Sequence, residues 1–188
     1  MRIVTLPEAE IPPELRVQVG HIQRQAWPGY GRAATAKSHD PALSPLSMLL
    51  VDGEQVLAAL DILSKQICHR GEPYAASGLS TVVTEESARR MGYGRRLVEA
   101  ARERVAESGA DLGIFTCDAP LEAFYSSAGW QLLPGTVLIG GTPESPFPSD
   151  QFEKVTMGRF FSPRARQREQ EFVGARIELY PGEIDRLW

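Results

Sequence analysis

The sequence predicts an α/β (α+β) fold in which a mixed, mostly antiparallel central sheet is flanked by helices. Two observations support this prediction. Residues 47–84 contain three successive strand patterns separated by tight turns, as in an antiparallel meander. Residues 79–116 then pass from a strand through an amphipathic helix to another strand. Because such crossovers are right-handed and join parallel strands, we expect one parallel pair within the sheet.

Length and composition limit the class of protein. The 188 residues predict one domain, with a core over about 45–140 and C-terminal strands and loops over 141–188. Hydrophobic residues make up 43% and charged residues 23%, the balance of a soluble globular protein. A net charge of −4 disfavours a broad role in nucleic-acid binding. No apolar run approaches the ~20 residues that span a bilayer, and the N-terminus lacks a signal-peptide pattern, so no membrane association is expected.

The cysteines and histidines predict neither a disulfide nor a metal site. Cys68 and Cys117 form no CxxC pair, so we expect free thiols in a reducing, cytoplasmic environment. His21, His39 and His69 lack the spacing of metal ligands and are interpreted as solvated or packed imidazoles.

The N-terminal region predicts a strand, a helix and a long loop. Residues 2–6 read as a short strand, and prolines at 12 and 13 can open a helix that ends near Trp27. Its apolar positions, at spacings of four, three and four residues, are Leu15, Val19, Ile22 and Ala26. Glycine and proline at high density make residues 28–46 a loop, either a binding loop or a disordered one.

The meander follows this loop. Residues 47–51 form the first strand, and Asp52-Gly53 is a strong hairpin signal before a long strand over 55–68. A turn at 69–72 leads into a third strand over 73–84.

The segment 79–98 organises the rest of the chain. Thr81, Val82 and Val83 are β-branched and favour a strand, whereas Gly92 and Gly94 interrupt it where the backbone turns into a helix. Such a turn directs unpaired helix N–H groups and a partial positive charge at one point. Formal positive charge is added there by Arg89, Arg90, Arg95 and Arg96. These features predict a binding site for a phosphate-bearing ligand.

Further elements are read from the remaining pattern. The helix after Gly94 has a buried face, formed by Leu97, Val98, Ala101 and Val105, and ends at Ser108-Gly109. The expected later elements are a strand over 111–116, a helix over 121–128, and strands over 130–139, 153–161 and 173–179. Residues 140–150 are expected to form a loop, and the polar residues 162–171 either a solvated loop or an exposed helix.

Two motifs resemble those of a known superfamily. The pattern Arg89-x-x-Gly92-x-Gly94 resembles motif A of the GNAT superfamily of N-acetyltransferases, which reads (Gln/Arg)-x-x-Gly-x-(Gly/Ala) between a strand and a helix. The stretch 121–130 resembles a later segment of that family, in which a tyrosine (here Tyr125) is followed four residues on by Gly-(Phe/Trp). The resemblance covers about residues 45–140.

This resemblance implies acetyl-CoA as the acyl donor and a strand pair that splays apart around it. By family position, the Val82 N–H would polarise the thioester carbonyl, and Tyr125 would act as general acid toward the departing thiolate. The residues that the resemblance assigns to coenzyme A are Val82, Val83, Thr84, Arg89, Arg90, Met91, Gly92, Tyr93, Gly94 and Arg95.

Within the superfamily the chain is similar to aminoglycoside 2′-N-acetyltransferases. The turn 70–72, the stretch 125–130 and Trp188 after an acidic segment match theirs. Ser80 departs from them, since it stands where they carry an acceptor-binding glutamate. Residues 28–40 depart as well, with Arg32, Lys37 and only one aspartate. The expected acceptor is therefore a small-molecule amine, and candidate acceptor-binding residues are Ser80, Asp118, Asp185 and Trp188.

The sequence does not single out one residue as the general base. Its candidates are Asp61, Asp118, Asp185, Glu183 and the Trp188 carboxylate. Cys117 allows a ping-pong route through an acyl-cysteine, against the alternative of a buried inert thiol. A non-catalytic acyl-CoA-sensing domain and a protein N-acetyltransferase are the alternative functions. Pairing of two copies through C-terminal strands is possible.

Overall fold

The computed structural model describes residues 1–28 and 39–188. Most of the loop expected at 28–46, including Arg32 and Lys37, therefore lies outside the described residues. Within the described ranges, no helix combines the length and the apolarity that a membrane crossing requires.

Ten strands and four α-helices make up the described chain. The helices are α1 (Pro13–Ala26), α2 (Tyr93–Glu107), α3 (Glu122–Ser127) and α4 (Pro163–Gln167). The strands are β1 (Arg2–Pro7), β2 (Leu46–Asp52), β3 (Gln55–His69), β4 (Glu72–Thr84), β5 (Leu112–Asp118), β6 (Gln131–Leu132), β7 (Val137–Gly141), β8 (Pro146–Pro148), β9 (Lys154–Phe160) and β10 (Arg176–Glu178).

Seven strands form the central sheet in the order β1-β2-β3-β4-β5-β9-β6. Every neighbouring pair is antiparallel except β4 and β5, which are parallel. Their pairing is limited to Ala76 with Leu112 and Ser77 with Gly113, after which the two strands diverge. The predicted mixed sheet with a splayed parallel pair is confirmed.

Tight turns close the meander where the sequence predicted them. Asp52 pairs with Gln55 across a turn in which Gly53 has φ +59°. Between β3 and β4, Arg70 and Gly71 have φ values of +51° and +81°. Two successive left-handed residues are what a twisted two-residue hairpin turn requires.

The two longer helices cover opposite faces of the sheet. On α2 the predicted face is buried, because Leu97, Val98, Ala101 and Val105 are at most 1% exposed. That helix packs in the main core cluster. Ile22 of α1 instead packs in a separate cluster. Alternate residues of β2 supply the two clusters, as the period-two geometry of a strand requires.

The prediction of one continuous strand over 130–139 is wrong, because two separate strands cover this region. The chain turns at Pro134 and Gly135, where φ is +69°, and this turn separates β6 from β7. β7 leaves the central sheet and joins a second sheet in the order β10-β7-β8. The expected loop at 140–150 accordingly contains β8, and the strand expected at 173–179 is limited to β10.

The polar stretch 162–171 is partly helical. Ser162 caps α4 by accepting a hydrogen bond from the Ala165 N–H at 3.2 Å, and the Ala165 side chain is fully buried. The helix is therefore anchored to the core rather than suspended in solvent.

Candidate active site

A cavity of about 660 Å³ lies between the end of β4 and the start of α2. We call it the donor cavity, after the acyl donor that the sequence resemblance assigns to most of the residues that line it. Its lining residues are Ala26, Val82, Val83, Thr84, Ala88, Arg89, Arg90, Gly92, Tyr93, Gly94, Arg95, Leu121, Phe124, Tyr125 and Ser127.

One end of the donor cavity is suited to an anion. Gly92 precedes α2 in the left-handed conformation, with φ +82°, and the first residues of the helix, 93–95, line the cavity. The first N–H groups of a helix have no partner within it, and the helix dipole is positive there. A Cβ on Gly94 would lie 2.7 Å from Thr84 Oγ1, so glycine permits this close approach of helix and strand.

The other wall of the donor cavity is the open edge of β4. Past Ser77 no described strand pairs with β4 on the β5 side, so the backbone there can accept an added strand. The register with β3 shifts between Ala59 and Asp61, and Thr81 has φ +49°. This bulge displaces the backbone around Val82 from the regular ladder.

A second cavity, of about 290 Å³, lies on the other side of Val82. We call it the acceptor cavity, after the acceptor-binding role that the sequence predicts for four of its lining residues. It shares Val82, Leu121 and Tyr125 with the donor cavity, so the two cavities meet at these residues. Its other lining residues are Trp27, His39, Leu79, Ser80, Thr81, Thr116, Cys117, Asp118, Lys154, Ile184, Asp185, Arg186, Leu187 and Trp188.

Tyr125 stands at the junction of the cavities. Its ring packs edge-on against Phe115 and Phe124, with centroid distances of 5.0 and 4.9 Å, and its side chain is 6% exposed. Burial raises the pKa of the phenol well above its usual range, with smaller contributions from Cys117 and Asp118. The hydroxyl therefore retains its proton at neutral pH and is available as a donor.

A histidine between two carboxylates lies at the acceptor side. His39 Nδ1 is 2.6 Å from Asp185 Oδ1, and His39 Nε2 is 3.1 Å from Asp61 Oδ2. Burial alone would lower the pKa of His39, but the hydrogen bonds and charges of Asp185 and Asp61 outweigh it and raise the pKa to about 9. The buried group is thus an imidazolium.

Trp188 occupies the point where β4 and β5 separate. A Cβ added to Gly78 would lie 2.8 Å from both the Ile114 carbonyl oxygen and Trp188 Nε1. The indole therefore packs on the backbone of the splayed strands, and its side chain is 6% exposed.

Residues 13–133 match the sequence model of the acetyltransferase (GNAT) domain. The chain belongs to the GNAT acetyltransferase family. The matched region contains the β4 edge, the start of α2 and Tyr125, which are the parts that build the donor cavity. Transfer of an acyl group from an acyl-CoA is the activity of GNAT acetyltransferases.

Solved acyltransferase structures share the GNAT fold of this chain. An acyl-CoA N-acyltransferase from Pseudomonas aeruginosa is 17% identical, covers 84% of this chain and 98% of its own, and gives a TM-score of 0.58. The aminoglycoside 6′-N-acetyltransferase from Enterococcus faecium is 17% identical, with coverages of 87% and 99% and a TM-score of 0.56. An aminoglycoside 6′-N-acetyltransferase complexed with coenzyme A is 17% identical, covers 87% of this chain and 99% of its own, and gives a TM-score of 0.59. The resemblance to the 2′-type enzymes stays a prediction.

Most of the residues predicted for coenzyme A line the donor cavity of this GNAT protein. Met91 does not, because its side chain is 60% exposed and lies outside the lining. Arg89 Nε donates to the Thr84 carbonyl oxygen at 3.3 Å, which ties the turn before α2 to the end of β4.

The residues predicted for the acceptor, namely Ser80, Asp118, Asp185 and Trp188, all line the acceptor cavity. Two candidate bases do not: Glu183 is exposed outside it, and Asp61 lies behind the lining. The Cys117 thiol is buried in a wall of this cavity, and burial, with the charge of Asp118, raises its pKa to about 11.

His39 is a residue of this GNAT site that the sequence does not single out, because its pattern indicates only a solvated or packed imidazole. Its partners lie 22 and 146 residues away in the chain. No local pattern indicates contacts at such separations.

Proposed function

We propose that this protein is an acetyl-CoA-dependent N-acetyltransferase that acetylates a primary amine of a small molecule by direct attack within a ternary complex. The observation that supports this best is the meeting of two cavities at Val82 and Tyr125. A donor and an acceptor bound on either side would face each other across these residues, which is the arrangement that proximity catalysis requires.

The donor cavity fits the parts of coenzyme A. The N–H groups of the first turn of α2, beside Arg89 and Arg95, suit a pyrophosphate. The unpaired edge of β4 from Val82 to Thr84 suits the pantetheine arm, whose amide groups can pair as an added strand would.

The acetyl-CoA would supply the thioester on which the amine acts. The Val82 N–H would donate to the carbonyl oxygen as negative charge develops there, a contribution of about 3–4 kcal/mol to the barrier. The C–N bond forms as the C–S bond breaks. Tyr125 would give its proton to the sulfur, and its phenolate would be reprotonated from solvent. The proton lost by the amine nitrogen would return to solvent, with Asp118 as the exposed carboxylate that can relay it.

The acceptor cavity favours a small amine with few positive charges. Its volume suits a small molecule better than a peptide. Exposed apolar side chains of Trp27, Leu121 and Ile184 contribute to its lining. Its two aspartate side chains are already paired, Asp185 with His39 and Asp118 with Lys154 at 2.7 Å. A polycation would therefore find little uncompensated negative charge.

Direct transfer is favoured over an acyl-cysteine. Because the pKa of Cys117 is raised to about 11, the group is a thiol rather than a thiolate at neutral pH. The thiolate is the nucleophilic form, so a covalent step at Cys117 is disfavoured.

Thiol release from acetyl-CoA across a panel of amines tests this proposal. The panel contains monoamines with an apolar body, polyamines, aminoglycosides and short peptides. We expect turnover with the monoamines. We also expect Tyr125→Phe to lower kcat about 100-fold, because the leaving sulfur loses its proton donor. Tyr74→Phe is the matched control, since Tyr74 is a buried tyrosine that packs against Phe172 outside both cavities.

Other outcomes identify the competing functions. Tight binding of acetyl-CoA without thiol release on any amine would indicate a sensing domain. Turnover on peptides alone would indicate a protein N-acetyltransferase. Full kcat in Tyr125→Phe would rule out the acid role of this residue.

A further inference from the structure

Both ring nitrogens of His39 face carboxylate oxygens. The Nδ1 atom lies 2.6 Å from Asp185, and the Nε2 atom lies 3.1 Å from Asp61. Ionised carboxylates only accept hydrogen bonds, so both nitrogens must donate, and the ring has no lone pair left to take a proton. His39 is therefore unsuited to act as a general base and links the two carboxylates instead.

At one end of this link, Asp61 reaches the strand that borders both cavities. Its Oδ2 atom accepts a hydrogen bond from Thr81 Oγ1 at 2.6 Å, in addition to the one from His39. Its Oδ1 atom accepts from Ser47 Oγ. Both oxygens of this buried carboxylate are thus engaged, by three hydrogen bonds in all, and these bonds hold its direction.

Thr81 has a backbone conformation that needs such support. Its φ is +49°, in the left-handed region that β-branched residues rarely adopt. It stands in the bulge of β4, immediately before Val82. If Thr81 relaxed to an extended conformation, the Val82 amide would rotate with it, because the two share a peptide plane.

At the other end of the link, Asp185 belongs to the segment 182–188, whose last five residues line the acceptor cavity. Its Oδ2 atom accepts a hydrogen bond from the Asp40 N–H at 2.8 Å, so the same carboxylate also holds the chain next to His39. The ring of His39 is thus joined to the acceptor wall and, through Asp61, to the bulge.

We propose that His39 is a positioning residue for acyl transfer: it fixes Asp61, Asp61 holds Thr81 in its left-handed conformation, and Thr81 thereby keeps the Val82 amide directed at the donor cavity. This inference rests on the proposed function for its kinetic consequence. The positioning of Thr81 and Val82 by His39 and Asp61 depends only on the geometry of the protein.

A double-mutant cycle tests the kinetic consequence. His39→Asn is expected to lower kcat at least 10-fold, the scale of a weakened oxyanion donor, with little change in the KM for acetyl-CoA. Glycine adopts a left-handed φ without steric cost. In a Thr81→Gly background, His39→Asn should therefore lower kcat only about threefold. His21→Asn, on the exposed face of α1, is the matched control and should leave kcat unchanged. Equal effects of His39→Asn in both backgrounds would overturn the proposal, as would an effect confined to the KM of the acceptor.

A second pair of variants serves where His39→Asn fails to fold. Thr81→Val keeps the β-branched shape but removes the hydroxyl that Asp61 accepts, so kcat should again fall at least 10-fold. Thr81→Gly should stay within about threefold of the parent protein. Equal kcat values in the two variants would contradict the proposed role of the backbone conformation.

NMR of the ligand-free protein separates this inference from the proposed function. The Thr81 Cα shift and the Val82 amide resonance report the bulge without any turnover. We expect both to move in His39→Asn and to stay in His21→Asn. Unchanged resonances in His39→Asn would overturn the inference even in an active enzyme. Moved resonances with no turnover on any amine would support the positioning of the bulge and reject the proposed acyl transfer.

Discussion

At the scale of a single residue, the charge of His39 makes the structure around the acceptor cavity depend on pH. The folded protein raises its pKa from 6.5 to about 9 through Asp185 and Asp61, against the opposing effect of burial. Burial alone would raise the pKa of Asp61, but the hydrogen bond and charge of His39 and the hydroxyls of Ser47 and Thr81 lower it. Each group therefore stabilises the charged form of the other.

These pKa shifts predict how stability depends on pH. The pKa of His39 is raised on folding, so its full contribution to stability is present below its unfolded pKa of 6.5. This contribution is lost as pH rises through about 9. The free energy of unfolding should thus fall by about 3 kcal/mol between these pH values from this group. Denaturant titration at intervals from pH 6 to pH 10 measures it. The Asp61 contribution is lost at the acid end instead, as pH falls below 3.8.

His39→Asn is the comparison for this pH dependence. The variant lacks the titrating ring but retains His21 and His69, so the difference between the two proteins isolates His39. The decline above pH 6.5 should be markedly shallower in the variant. Parallel pH profiles for the two proteins would contradict the assignment of an imidazolium at this position.

At the scale of elements, the segment 182–188 is positioned by β7. The Gly141 N–H donates to the Arg186 carbonyl oxygen at 2.8 Å, and the Gly182 N–H donates to the Gly141 carbonyl oxygen at 3.0 Å. A Cβ on Gly140 would overlap the Arg186 carbonyl oxygen. The second sheet is therefore the support that places Asp185 and Trp188 at the acceptor cavity.

Gly140→Ala should impair acceptor use from outside the site. The added methyl group displaces the segment 182–188, and displacements of about 1 Å at a reacting site can lower rates about 100-fold. We expect kcat/KM for the amine to fall at least 10-fold while the affinity for acetyl-CoA, measured by calorimetry, is retained. The donor cavity has no residue of β7 or of this segment in its lining.

Gly174→Ala is the control for this substitution. Gly174 has φ +67°, and its Cβ would meet no atom within 4 Å, so alanine there carries only the cost of a left-handed residue. It should reduce stability slightly and leave acceptor kinetics intact. Equal kinetic losses in the two variants would show that the docking of the segment on β7 is not the cause.

At the scale of the whole molecule, β4 connects the two cavities to the core. It pairs with β3 along most of its length, and on the other side its pairing with β5 ends at Ser77. Ligands bound in the two cavities would therefore contact a strand whose other edge is paired with β3. A ligand that binds only the folded state raises the free energy of unfolding of the protein.

Acetyl-CoA should therefore raise the melting temperature. At a concentration 100 times its Kd, the free energy of unfolding increases by about 2.7 kcal/mol. For a chain of this size that corresponds to roughly 5–10 °C, which differential scanning fluorimetry can measure. Gly94→Ala, whose Cβ would lie 2.7 Å from Thr84 Oγ1 beside the expected pyrophosphate, should show a smaller increase. An undiminished increase in that variant would place the donor elsewhere.

Short-range patterns in the sequence determined the meander, the buried face of α2 and the glycine turn before it. Turn residues at 52–53 and 70–71, β-branched runs and a helical period act between neighbours in the chain, so they can be read locally. The donor cavity is built largely from one such stretch together with Tyr125. For that reason its predicted residues, apart from Met91, lie together in the structure.

Only the tertiary structure decided the acceptor side. The link from Asp185 through His39 to Asp61 joins three distant segments, and Trp188 packs where Gly78 leaves room for an indole. The second sheet likewise depends on pairing of β10 with β7, some 39 residues apart. Contacts of this kind arise from packing and charge compensation between elements, for which the linear pattern carries no signal. The sequence therefore determined the donor cavity, and the folded chain decided which residues surround the acceptor cavity.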